Sequence, residues 1–187
     1  MSQGRLDEAY SEWKHATELD PVTPLVNVGP GMIRVVQRQP DQAIEELEKA
    51  LELDPDFFWT HFMLGLAHLL KGDYDSAIAA LERGNVPQYR DGHLGHAYAV
   101  SGEREKARKL IEGLQTGPRA EYLLPYHLAM IHFGLGEKES GFAHLNQACD
   151  LRSPQLFWVK VIPQLDGVHD DPRFQAILRR MNLADPE

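Results

Sequence analysis

Residues 54–84, DPDFFWTHFMLGLAHLLKGDYDSAIAALERG, carry an apolar and polar pattern that predicts two helices joined by a glycine turn. Apolar side chains run from Phe57 to Leu70 without a proline, Lys71, Gly72 and Asp73 interrupt them, and Ala77, Ile78 and Leu81 resume at helical spacing. Asp56, following Pro55, is the predicted N-cap of the first helix, and the second is expected to end near Gly84. The hairpin recurs. Ala9 and Ala43 lie 34 residues apart, as do Asp20 and Asp54, and ATELDP at 16–21 parallels ALELDP at 50–55. A fixed period of this length means that each hairpin is one unit stacked on its neighbours.

Read in order, the chain opens with half a unit. Residues 4–21 supply only a second helix, through Leu6, Ala9, Trp13 and Ala16. Without a partner, Leu6, Ala9 and Trp13 are expected to be exposed, which suits a fragment of a longer protein, a dimer contact or a docking site for another domain. The second unit, about 23–55, has Pro30 and Gly31 where the third has Leu64 and Gly65. A proline inside a helix removes a backbone hydrogen bond and clashes with the preceding turn, so this helix is expected to kink or begin at Pro30. The third unit spans 56–87. The fourth, 88–118, shows Leu94, Gly95, Tyr98, Gly102, Ala107 and Ile111, but Gly65 to Gly95 is 30 residues, so the connection near 85–88 is short. The fifth, 119–151, places Leu128, Ala129, His132, Gly136, Gly141, Leu145 and Ala148 in the same slots. After Cys149 the pattern changes. Ser153 and Pro154 predict a short helix through Lys160, ended by Pro163, and Asp171 with Pro172 predicts the cap of a last helix whose face is Phe174, Ile177, Leu178 and Met181.

The order His61, Leu64, Gly65, His68, Gly72, Tyr74, Ala77, Leu81, at a period of 34, resembles the tetratricopeptide repeat, with histidine in both aromatic slots of the first helix. The resemblance covers about residues 4–150. It implies an all-α fold, a right-handed superhelix (α-solenoid) of helix hairpins over residues 1–150, followed by C-terminal capping helices and a tail over 151–187. It also implies a non-enzymatic scaffold for protein–protein interaction. Residues 151–183 resemble the endings of repeat arrays in bacterial winged-helix regulators, adenylate cyclases and serine/threonine kinases. This implies, as the alternative, a sensory or regulatory C-terminal module of a larger signalling protein.

In such a solenoid the first helices line a concave face, and the register assigns their residues to it. They are Leu25, Val28, Met32, Val35 and Val36 from the second unit, and Trp59, Phe62, Leu66, Leu69 and Leu70 from the third. The fourth gives Tyr89, His96, Ala99 and Val100, and the fifth Leu123, Tyr126, Met130 and Phe133. Because Leu64, Gly65 and His68 occupy the opposite stripe, the third unit's first helix is apolar nearly all round and should be buried on both sides. The expected ligand is an apolar peptide or amphipathic helix anchored by Trp59 and Phe62, with the chain's own tail or a second copy as the competing occupants. Family members that clamp a terminal carboxylate use groove lysines and asparagines, which these positions lack.

Composition narrows the function further. Of 187 residues, 43% are hydrophobic and 25% charged, an ordinary globular balance. A net charge of −9 argues against nucleic-acid binding and slightly favours basic or neutral partners. The single Cys149 fits a reducing, cytoplasmic setting. No charged-then-apolar leader is seen, and His61 and His68 interrupt the longest apolar run, so neither export nor membrane insertion is expected. Nine histidines suggest a metal, above all His93 and His96, but no carboxylate or cysteine accompanies them at ligand spacing, and packing is the expected role. Asp170 and Asp171 read as a helix cap, and Cys149 as a packed thiol. There is no GxSxG, P-loop, GxGxxG after a strand or HExxH, so neither catalysis nor a cofactor is expected.

Overall fold

A computed structural model describes residues 3–116 and 123–184. The boundary expected between the fourth and fifth repeats, at 118–119, and the last residues of the tail lie outside them. Among the described residues all regular structure is helical. The helices are α1 (Gln3–Leu19), α2 (Pro24–Val36), α3 (Pro40–Leu53), α4 (Phe58–Lys71), α5 (Tyr74–Arg83), α6 (Pro87–Val100), α7 (Arg104–Thr116), α8 (Leu124–Gly134), α9 (Lys138–Asp150) and α10 (Pro172–Arg180). Two 3₁₀ segments, Pro154–Trp158 and Pro163–Val168, lie between α9 and α10. The chain forms two compact units, residues 1–86 and 87–187, which are described separately.

In the first unit α2 packs on α3 and α4 on α5 as antiparallel hairpins, with α1 against α2 and α3 against α4. Each hairpin closes on a residue in the left-handed region, Arg38 (φ 61°) and Gly72 (φ 78°). The turns are built alike. The Gly72 and Asp73 amides donate to the Leu69 and His68 carbonyls, and the Arg38 and Gln39 amides donate to those of Val35 and Arg34. Arg38 tolerates a conformation that suits glycine while its guanidinium donates to the Val35 and Val36 carbonyls at 3.3 and 3.1 Å.

Within each hairpin the two helices meet at a close crossing. A Cβ on Gly65 would lie 2.5 Å from Leu81 Cγ, and one on Gly31 would lie 2.5 Å from Leu47 Cγ. Leu47 and Leu81 are fully buried, beside Ala43, Ala50 and Ala77. Helix α2 runs through Pro30 to Val36, so the expected start at Pro30 is corrected. Tertiary packing overrides the local preference here: Gly31 seats Leu47, Gly29 seats the Trp13 ring, and Pro30 is buried between them. Trp13 is therefore half-buried, and Leu6, expected to be exposed, is buried. Asp56 does not cap α4. Phe57 takes the N-cap position with no side-chain bond, and Asp56 donates its amide to Asp54 Oδ1. Helix α5 is capped by the Asp73 carboxylate and ends at Arg83, before Gly84.

In the second unit α6 packs on α7 and α8, α8 on α9, and α10 on α9. Gly102 (φ 93°) and Gly136 (φ 76°) close its hairpins. Asp171 caps α10 by accepting the Arg173 amide, with Pro172 at the first helical position. The segment after Ser153 forms a 3₁₀ turn ending at Trp158 rather than a helix through Lys160, and a second such turn follows Pro163.

Replacing Gly65 by Ala drives a methyl into Leu81 and is expected to cost about 1–3 kcal/mol in urea unfolding. Gly72→Ala, where no atom lies within 4 Å of the added Cβ, should cost only about 1 kcal/mol through its backbone conformation. Leu81→Ala should relieve Gly65→Ala, giving a sub-additive double variant, and leave Gly72→Ala additive.

Candidate functional site

The first helices of the N-terminal unit bury most of their apolar side chains and leave a few exposed or half-buried. In α2, Val28 and Val35 are buried, Met32 and Val36 are half-buried, and Leu25 is exposed. In α4, residues 60–67 are buried without interruption, which places Phe62 and Leu66 in the core, while Trp59, Leu69 and Leu70 are half-buried. Trp59 stacks on Phe62 with ring centroids 5.0 Å apart and planes at 28°, so the indole is held from below. Phe58 meets Trp59 edge-on at 5.9 Å, and Phe57 meets Phe58 at 5.6 Å. The side chains that a ligand could reach without unpacking this unit are Leu25, Met32, Trp59, Leu69 and Leu70.

The corresponding residues of the C-terminal unit have a different setting. His96, Tyr126, Met130 and Ala99 are buried, while Tyr89, Val100, Leu123 and Phe133 are half-buried. The tail lies along these helices. Gln155 Nε2 donates to the Gln88 carbonyl at 3.2 Å, the Gln164 side chain is hydrogen-bonded to the His93 ring, and the second 3₁₀ turn packs on α8. Leu156, Val159, Ile162, Leu165 and Val168 of the tail are buried. Tyr89 and Leu123 line a cleft of about 350 Å³ whose other wall is Pro154, Gln155 and Phe157. The two glutamines were not singled out in the sequence, and their signal there is weak. Only the mismatch of a helix carrying buried His93 and His96 hints that a polar partner must come from elsewhere.

These histidines are neutral. Burial lowers His93 to about 3, against the raising effect of the Gln164 bond, and burial lowers His96 to about 4 although Met130's carbonyl accepts from its Nδ1 at 3.1 Å. His127 Nδ1 accepts the Gly92 amide at 2.8 Å. Among the described residues no group of three or more His, Cys, Asp or Glu could hold a metal ion. The remaining singled-out groups have structural surroundings. Arg173 holds Asp171 down at about 2 through its side-chain and backbone bonds, and burial pushes the Cys149 thiol up. Among the described residues no helix is long and apolar enough to cross a membrane.

The pH dependence follows from the histidine shifts. The unfolded chain takes up protons on these rings near pH 6.5, whereas the folded chain resists until about 4 and about 3. Stability is therefore full above 6.5 and falls as pH drops toward 4, by up to about 2 kcal/mol per histidine at pH 5. Urea midpoints measured across this range should decline with falling pH before the carboxylates titrate, and His96→Asn should flatten the decline.

With this geometry the chain was compared with known proteins. Residues 31–90 match the tetratricopeptide repeat family. No curated protein matches the sequence. Among solved structures, MamA is similar at 22% identity with a TM-score of 0.54, over 83% of this chain and 93% of that one. The Cut9–Hcn1 hetero-tetramer of the APC/C is similar at 15% identity with a TM-score of 0.64, over 96% of this chain and 34% of that one. YrrB, described as a TPR protein with an unusual peptide-binding site, is similar at 20% identity with a TM-score of 0.51, over 82% of this chain and 81% of that one. At these identities the likeness speaks for architecture alone, and the chain has the all-α, helix-hairpin fold of tetratricopeptide-repeat proteins.

Proposed function

We propose that this chain is a non-enzymatic scaffold that holds a protein segment against the first helices of its N-terminal unit. In this reading residues 1–150 are the binding array and 151–187 its cap. The observation that carries it is the set of apolar side chains that α2 and α4 leave exposed or half-buried, Leu25, Met32, Trp59 and Leu69, with Trp59 stacked on Phe62. A rigid aromatic over a packed floor is the kind of anchor that dominates binding energy. In the C-terminal unit, Tyr89 and Leu123 are half-buried among the expected lining residues, Phe133 turns its ring to Gly141 and Phe142 of α9, and His96, Tyr126 and Met130 lie in the core. The binding of a peptide by YrrB, a protein of the same fold, adds support. The lone, buried Cys149 fits a cytoplasmic setting. The same surface would serve a sensory module of a larger bacterial signalling protein, since either role needs a held segment.

A second reading concerns α1. Ala9, Glu12, Trp13 and Ala16 line a shallow groove of about 370 Å³. In the next unit the equivalents of Ala9 and Ala16, Ala43 and Ala50, are buried under α2, whereas here both are half-buried. Homodimerisation through this half repeat would cover them.

Titration with an amphipathic helical peptide, followed by methyl chemical shifts, should move Leu25, Met32 and Leu69 first. Trp59→Ala should weaken binding by about 1–3 kcal/mol while leaving the unfolding midpoint within a few degrees. Unchanged affinity would exclude this surface. For α1, sedimentation should show a dimer that Ala16→Arg dissociates, and a monomer at high concentration would exclude the second reading.

A further inference from the structure

The two turns that lead into α2 and α4 are copies of one another. Asp20 Oδ1 accepts the Val22 and Thr23 amides at 3.4 and 3.1 Å, and one period later Asp54 Oδ1 accepts the Asp56 amide at 3.1 Å. Asn27 Nδ2 donates to the Pro21 carbonyl at 3.2 Å, and His61 Nε2 donates to that of Pro55 at 2.7 Å. Because successive helices are antiparallel, both turns lie on one edge of the N-terminal unit, with the ends of α1 and α3 and the starts of α2 and α4.

That edge is unusually apolar for a surface. Leu19 (74%), Val22 (77%), Leu25 (54%) and Leu53 (49%) are four of the seven large hydrophobic side chains found exposed among the described residues. Two of them, Leu19 and Leu53, are the same position one repeat apart, so the exposure is a repeated feature and not a single accident of packing.

The edge is also acidic, with Glu18, Asp20, Glu52, Asp54 and Asp56 around those side chains. No lysine or arginine occurs in residues 15–33 or 50–70. The cations that flank these stretches are occupied, Lys14 by Glu46 and Lys49 by Glu45 on α1 and α3, and, at the far ends of the first helices, Arg34 by Gln37 and Gln39 and Lys71 by Asp41. Asp20 and Asp54 build the turns and Glu18 lies 3.4 Å from His15 Nδ1, but among the described residues the side chains of Glu52 and Asp56 have no such task and no ion pair. The imbalance extends through the unit. Residues 1–86 carry 15 Asp and Glu against seven Lys and Arg, whereas residues 87–187 carry 13 against 12. Nearly all of the chain's net charge therefore belongs to the unit proposed above to hold a segment.

We propose that this edge makes the held segment a basic one, an amphipathic helix whose large apolar side chains cover Leu19, Val22, Leu25 and Leu53 while flanking Lys or Arg side chains meet Glu18, Glu52 and Asp56. The inference rests on the reading that α2 and α4 hold a segment, and it adds that segment's charge. Complementary charge speeds encounter and sets register, and like charge excludes competitors. An anionic membrane surface and a second acidic edge of this same chain are both disfavoured by sign.

The test uses the full chain and three synthetic helical peptides with one Leu and Phe pattern and Lys, Gln or Glu at the polar positions. Calorimetry should show the Lys peptide binding about tenfold tighter than the Gln peptide at low salt, with little binding of the Glu peptide, and the advantage should shrink at high salt. Glu18→Gln/Glu52→Gln/Asp56→Asn should erase the advantage with an unchanged unfolding midpoint, and Leu19→Ser/Leu53→Ser should weaken both peptides. Equal affinity for the Lys and Gln peptides, or an advantage that survives the triple substitution, overturns the inference. If those equal affinities are both lost in Trp59→Ala, the segment-holding surface stands and only its basic specificity falls. If none of the peptides binds, both readings fall together. Self-association lost in Leu19→Ser/Leu53→Ser would instead assign the edge to a second copy and overturn the basic segment.

Discussion

A helix hairpin of this kind depends on one close approach. At Gly31 and again at Gly65 the first helix lacks a side chain, and Leu47 or Leu81 of the second helix fills the space. The contact lets two backbones come near enough for Ala43 and Ala77 to be wholly buried, and that exclusion of water is the main source of stability in the hairpin. It also sets the register, since shifting either helix by one residue would put a Cβ where the leucine must go. The same spacing explains Trp13, which stands one period before Leu47. Its ring packs on Gly29 of the following helix, and α1 is held there by large aromatic area. Tyr10 reinforces it, its hydroxyl donating to Glu46 and its ring lying under the Arg34 guanidinium at 3.7 Å.

Second helices in this arrangement are amphipathic, with α3 packed between α2 and α4 on one stripe of small and apolar residues. First helices are packed on both sides and remain apolar on what is left, as the buried run through 60–67 shows. Such a surface must be covered by something of matching chemistry. The C-terminal unit meets that need with its own tail, whose apolar residues are buried and whose glutamines reach the backbone and ring groups of α6. In the N-terminal unit Trp59, Met32 and Leu69 stay half-open, which gives the proposed ligand its place.

Much of this was legible in the sequence because the period is carried by small residues that little else would require. Gly31, Gly65, Ala43 and Ala77 announce close crossings, and Asp171 with Pro172 announces a helix start, all through local rules that tertiary structure obeys. The misses share a cause. Pro30 reads as a kink or a helix start, yet α2 begins at Pro24, and flanking glycines that seat Trp13 and Leu47 favour carrying the helix through it, a gain that local rules do not include. Asp56 reads as a cap, but Asp54 two residues earlier already organises the turn. The candidate site was legible as a set of positions but not in its depth. Periodicity assigns Phe62 and Trp59 to the same face, and only packing distinguishes a core ring from a reachable one.

The two units also fill equivalent slots with different chemistry. Counting from Gly65 to Gly95 and on to Ala129, Met63 of α4 corresponds to His93 and then His127, and Leu66 corresponds to His96 and then Met130. A methionine or leucine there is satisfied by any apolar neighbour, and both Met63 and Leu66 are buried in the core. A buried neutral histidine is more demanding, because each ring nitrogen left without a partner costs about 1–3 kcal/mol. His93 is answered by Gln164, His96 by the Met130 carbonyl and His127 by the Gly92 amide, the last possible because Gly92 has no side chain to hold the ring away. An incoming apolar peptide could replace the tail's leucines and valines but not the Gln164 bond. The Gln164 bond thus ties the tail to the C-terminal unit, whereas the equivalent slots of α4 are apolar and need no polar partner.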